Sequence, residues 1–305
     1  MFFKAVTLAL AYATGATAHS LMHGVAVNGV DQGDGRGVYI RTPPNNSPVK
    51  DLASPDLVCN VNGGRAVSGF VQAAAGDTLT FEWFHNTRGD DIIDRSHSGP
   101  IITYIAPFTE GNGAQSIWTK IHEDGFDSST RKWAVDKLID NGGKIDFVLP
   151  AALAPGKYLI RQEIIAHHES NAAFNVDPAR GAQFYPSCVQ VEVSGTGTAV
   201  PDQNFNFNTG YTYSDPGIVF NLYTRFDSYQ IPGPEVWTAA NSGNGNGNGN
   251  GNGNGNGNGT PAPPTTTVTP TPTATAAPVT TTTPPRPPRP TRCPGRRLKR
   301  EEPRA

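Results

Sequence analysis

The run Gly156-Lys157-Tyr158-Leu159-Ile160-Arg161-Gln162-Glu163-Ile164-Ile165-Ala166 opens directly after Pro155 and is rich in isoleucine, leucine and tyrosine, so it reads as a strand. Shorter runs of Val, Ile, Phe and Tyr lie on both sides of it, at 25–27, 78–84, 101–105, 144–149 and 188–193, separated by Gly, Pro, Asn and Asp. Short strands broken by turn residues are the pattern of an antiparallel all-β domain. Helical spacing shows once, in Trp133, Leu138 and Ile139, and predicts a helix over 130–140 capped by Ser129 or Thr130. The fold expected is an immunoglobulin-like antiparallel β-sandwich with long Gly-rich loops and one short helix.

Outside this region the composition changes. Residues 1–18 read as an export signal: Lys4 supplies the positive start, 5–13 the apolar stretch, and Ala16-Thr17-Ala18 the small-residue cleavage site, so the mature chain is expected to begin at His19. No later run approaches the roughly 20 apolar residues of a membrane helix. The expected product is a secreted, extracellular monomer with no membrane partner. Residues 19–240 suffice for one sizeable core but not for two. They carry 24 Asp and Glu against 15 Lys and Arg. An acidic domain argues against a nucleic-acid partner and is compatible with a neutral polysaccharide.

From Asn241 alternating Asn and Gly give way to Thr and Pro up to 290, a tail that cannot bury a core and reads as a linker. Residues 291–305 form a basic end, too short and too poor in cysteine to make a carbohydrate-binding module. Of the three cysteines, Cys59 and Cys188 both lie in the domain among strand-like sequence and are expected to pair, leaving Cys293 in the tail. Asn45 begins an Asn-X-Ser glycosylation site, and Asn258 a second.

The chemistry begins at the cleavage point. A histidine freed as the first residue carries an α-amine and an imidazole on one small unit, and the amine and Nδ1 can chelate one metal. A second imidazole completes a planar, T-shaped nitrogen set of the kind Cu(II) favours. Six histidines are available as that partner: His23, His85, His97, His122, His167 and His168. His97 stands out because Ser96-His97-Ser98-Gly99-Pro100 is a turn ahead of the apolar run 101–105, which would hold it at a sheet end. In Gln183-Phe184-Tyr185, period-two alternation turns Gln183 and Tyr185 to one face and Phe184 to the other.

His19 at the cleavage point, the His97-Ser98-Gly99-Pro100 turn, the run from Tyr158 to His168, and Ala182-Gln183-Phe184-Tyr185-Pro186-Ser187-Cys188 together resemble the fungal lytic polysaccharide monooxygenases of auxiliary activity family 9, formerly classed as glycoside hydrolase family 61. Val27-Asn28-Gly29, Asp215-Pro216-Gly217-Ile218 and Pro232-Gly233-Pro234 extend the resemblance over nearly all of 19–237. The resemblance implies one copper ion per chain held by His19 and His97, with Tyr185 as its axial neighbour and Gln183 and His168 just behind. It implies O2 or H2O2 as co-substrate, an external electron donor, and cleavage of crystalline polysaccharide, expected to be cellulose or a related β-1,4-glucan, by hydroxylation of a C–H bond beside the glycosidic link. A flat substrate calls for exposed rings. Tyr229 matches the family's surface tyrosine in the closing loop, and Tyr39, in a Gly-rich loop, is a second candidate. A non-catalytic copper-binding or cell-wall interaction protein would share the terminal histidine and is the alternative.

Overall fold

Asn28-Gly29 sits between two short apolar runs, and both residues adopt positive φ (49° and 80°), the geometry a two-residue hairpin turn demands. It joins β1 (Leu21–Val27) to β2 (Val30–Asp34), with Val27 opposite Val30. In the computed structural model, which describes residues 19–238, this hairpin is one edge of a four-stranded sheet. The sheet is completed by β4 (Thr78–Phe84) and β9 (Lys144–Val148), in the order β2-β1-β4-β9. The second sheet has five strands: β3 (Val71–Ala74), β11 (Gln183–Ser194), β10 (Gly156–Ala166), β5 (Ile101–Pro107) and β6 (Thr119–Asp124), in that order. All pairings in the two sheets are antiparallel except β11 with β3, which is parallel and departs from the expected pattern. The export signal expected at 1–18, the linker-like tail at 241–290, Cys293 and the basic end lie outside the described residues.

The two sheets face each other across a core that includes Val25, Leu79, Phe81 and Phe147 from the first and Ile105, Ile160, Ile164 and Val191 from the second. A second apolar cluster covers the other face of the five-stranded sheet, where Leu159, Ile165 and Phe184 meet Leu57, Trp118, Phe205 and Phe207 from the connecting segments and their short helices. β10 is thus buried on both sides from Tyr158 onward, which is why its apolar residues fall on both faces without alternation and why Arg161, Gln162 and Glu163 between them are buried as well. Cys59, at the end of α1 (Asp56–Cys59), bonds Cys188 on β11 and staples the loop layer to the sheet.

The helix expected over 130–140 is shorter than its periodicity predicts. Ser129 and Thr130 do not cap it; their hydroxyls donate to the Asp127 carboxylate in a tight turn. Lys132–Trp133 (β8) then pairs with Phe126–Asp127 (β7), and α2 covers Ala134–Asp140, its start marked by the Asp136 carboxylate accepting from Trp133 N at 2.9 Å. A local hydroxyl–carboxylate turn has outcompeted a first helical turn. Two further short helices accompany it, α1 and α3 (Phe207–Gly210).

Candidate metal centre

One end of the sandwich gathers residues from four separate segments. His19 directly precedes β1, and its carbonyl accepts from His85 Nδ1 at 2.8 Å, while Ser20 Oγ donates to Phe84 O. His97 stands in the turn before β5, where its own N–H donates to Asp94 O at 2.9 Å. Gly99 allows that turn to press against β10: a Cβ there would lie 1.7 Å from the Ile165 carbonyl, so only glycine fits. Pairing then continues past the strand ends, His167 N donating to Ser98 O at 3.0 Å, and this sets His168 beside His97. Gln183 and Tyr185 enter from the start of β11, where Ala166 pairs with Gln183 and Ile164 with Tyr185.

The rings converge. His19 and His97 are 5.7 Å apart between centroids and nearly perpendicular, at 84°. Tyr185 is 5.8 Å from His19 and 6.1 Å from His97, and His168 packs 4.1 Å from His97. Gln183 and Tyr185 share a face as alternation requires, and the Tyr185 hydroxyl donates to Gln183 Oε1 at 2.6 Å. Burial, reinforced by His168 and His19, pushes the His97 imidazole down to about 4, so it is neutral at ordinary pH. Burial likewise lowers His19 and His168 and raises the Tyr185 phenol. His97 Nε2 is buried and has no protein hydrogen-bond partner. An orphaned neutral imidazole nitrogen, which is costly to bury, belongs to a ring beside a second imidazole and a phenol, and nitrogen donors of this kind fit a copper ion.

A family model for Auxiliary Activity family 9 (formerly GH61) matches residues 19–230. The chain belongs to that family. It is 65% identical over 231 residues to the AA9 family lytic polysaccharide monooxygenase A of Collariella virescens, covering 75% of this chain and 84% of that one. It is 48% identical over 236 residues to its namesake in Schizophyllum commune, covering 75% and 93%. Among solved structures, CvAA9A superposes with a TM-score of 0.72 at 66% identity, covering 72% of this chain and 99% of the other. A cellulose-active polysaccharide monooxygenase from M. thermophila gives 0.59 at 30% identity, covering 72% and 99%. This family 9 chain is therefore a lytic polysaccharide monooxygenase, a copper-dependent oxidoreductase that cleaves polysaccharide oxidatively. Among the described residues no helix is long and apolar enough to cross a membrane.

The other candidate histidines are placed elsewhere. His23 is buried on β1 against Phe84, His122 lies on β6, and His167 points away from the centre to Tyr229 and Ser170. Tyr39 must be corrected: it is 6% exposed, with its hydroxyl donating to Gly33 O, so its ring cannot meet a substrate. Tyr229 is half-buried, and its hydroxyl is held by Gly217 O at 2.7 Å and His167 Nε2 at 3.0 Å while its ring packs on Trp133. The exposed ring is instead Tyr223, 72% accessible, whose hydroxyl donates to His168 O at 2.9 Å. His85, another of the six candidates, holds the His19 carbonyl, and sequence reasoning missed Glu169, which accepts from Gln183 Nε2 and Lys50 Nζ. The segment Asn221-Leu222-Tyr223-Thr224-Arg225-Phe226-Asp227-Ser228-Tyr229 carries no periodicity that distinguishes Tyr223 from Tyr229, and only Glu169's position next to His168 could have marked Glu169.

Proposed function

We propose that this chain oxidises cellulose or a related β-1,4-glucan by hydroxylating a C–H bond beside the glycosidic link, with copper held by His19 and His97. The observation that carries the proposal is the perpendicular His19–His97 pair with the buried, unpartnered Nε2 of His97. Export with cleavage of residues 1–18 would free the His19 amine as the third nitrogen, in an extracellular, monomeric enzyme. When bound, copper supplies one-electron redox chemistry toward O2 or H2O2, fed by an external donor. The chain's own groups do the positioning. His85 anchors the His19 backbone, Tyr185 would stand beside the metal with its hydroxyl hydrogen committed to Gln183, and His168, oriented by Gln183, would hydrogen-bond an oxygen co-substrate and relay its protons. Tyr223 is the ring offered to a sugar face, supported by its exposure and by its bond to the His168 carbonyl. The cellulose activity of the M. thermophila relative supports the choice of substrate. Asn45 is exposed on the loop whose Asn46 bonds His85, so a glycan there would stand beside this face.

The test is incubation of the secreted protein, copper-loaded and with its terminus sequenced, with cellulose and ascorbate. Oxidised oligosaccharides that vanish with EDTA are the expected result. Release of unoxidised sugars without reductant, or none from any glucan by a protein that binds copper, overturns the proposal, the second in favour of a binding protein.

A further inference from the structure

Gln183 has an amide whose two ends differ only in hydrogen-bond polarity, and three neighbours read that polarity at once. Its Nε2 lies 2.9 Å from Glu169 Oε2 and 3.1 Å from His168 Nε2, and its Oε1 accepts from the Tyr185 hydroxyl at 2.6 Å. Glu169 in turn accepts from Lys50 Nζ at 3.1 Å, and Lys50 also donates to Ala179 O. Lys50 is delivered there by the bridge between Val49 and Phe184, whose two backbone bonds are both 2.8 Å. A carboxylate paired with an ammonium can only accept. Gln183 must therefore turn its NH2 toward Glu169, which leaves Oε1 facing Tyr185 and the second amide hydrogen facing His168 Nε2. An amide nitrogen accepts nothing, so that contact is a hydrogen bond only if His168 Nε2 is bare.

We propose that the Glu169 carboxylate, steadied by Lys50, sets the direction of every hydrogen bond behind the metal centre. Glu169 makes Gln183 draw the Tyr185 hydroxyl hydrogen away from the metal side and makes His168 keep its proton on Nδ1. Glu169 is a positioning residue: it reaches the centre only through Gln183. The inference rests on the reading of Gln183, Tyr185 and His168 given above. Reversing the amide would exchange donors for acceptors at both residues, with no change in the shape of the site.

Nitrogen-15 NMR of the metal-free secreted protein, labelled in histidine, reads the direction without copper. His168 neutral with Nδ1 protonated is the expected result; a proton on Nε2 overturns the proposal without any variant. In Glu169→Gln the new amide can donate to Gln183 Oε1 and allow the flip. The His168 ring signals and the Cu(II) electron paramagnetic resonance spectrum should change, and turnover on swollen cellulose should fall roughly 10-fold. Lys50→Met keeps the carboxylate and should keep the tautomer. Wild-type ring signals and copper spectrum in Glu169→Gln overturn the proposal. Failure of copper to bind through His19 and His97 would instead sink the metal-site reading, and the tautomer of the metal-free protein would still decide this one.

Discussion

Strands β10 and β11 carry two polar clusters, one at mid-strand and one at the strand end, and they are finished differently. At mid-strand Arg161 and Glu163 are fully buried and closed on their own partners. Arg161 Nε and Nη2 donate to the carbonyls of Val58 (2.6 Å) and Leu57 (2.9 Å), Nη1 lies 2.7 Å from Glu163 Oε1, and the guanidinium stacks 3.7 Å over Phe207. Tyr211 donates to Glu163 and sits 2.9 Å from Tyr104 OH. At the strand end, His97 Nε2 and His168 Nδ1 are buried without a protein partner. Other buried atoms, among them both ring nitrogens of His23 and Arg161 Nη1, also lack a hydrogen-bond partner, but at the strand end the open nitrogens stand among the converging rings of His19, His97, His168 and Tyr185, whereas Arg161 Nη1 is met by the Glu163 carboxylate.

The sharpest way to break this contrast is His97→Ala. It should abolish copper-dependent oxidation and remove the copper spectrum while the protein stays folded, as checked by calorimetric copper titration and product analysis. Arg161→Met should do the reverse. With Glu163 left as an uncompensated buried charge, stability should fall by roughly 3–5 kcal/mol in a denaturant titration, and the spectrum of the copper form should stay unchanged. If Arg161→Met altered the spectrum, the two clusters would not be separate.

Acid offers an intermediate test. Burial, then Arg36, pushes His23 down to about 4 from an ordinary 6.5, and burial, then His168, pushes His167 down to about 3. Both folded values lie below the unfolded one, so the unfolded chain takes up protons first as pH falls. The stability these residues contribute is complete above about pH 6.5 and is lost progressively down to about 4 for His23 and lower for His167. His23→Phe should flatten the denaturation midpoint against pH by an amount on the order of 2 kcal/mol.

The smallest effects separate two tyrosines. Tyr223→Ala should weaken binding to cellulose by roughly 10-fold, the scale of one aromatic contact, with no loss of stability. Tyr229→Phe, which deletes a hydroxyl shared with Gly217 and His167, should cost about 1 kcal/mol of stability and leave binding unchanged. Exchange of these two outcomes would restore Tyr229 as the sugar contact.

The residues that could be read in advance are those governed by local geometry. Strands 78–84 and 156–166 appear with the bounds their composition implies, and Gln183 and Tyr185 share a face because side chains alternate along any strand. The Cys59–Cys188 pair follows from the count of cysteines within the domain. The rest depends on which segments meet. His97 joins His19 across 78 positions because Gly99 lets its turn close on Ile165. Tyr39 and Tyr229 are consumed by packing while Tyr223 is left exposed, and Lys50 reaches Glu169 through a single bridge between Val49 and Phe184. Alternation acts within a few bonds and is written in the chain. Convergence is decided by sheet register and loop closure, where residues distant in sequence compete for the same space, and only the folded structure resolves that competition.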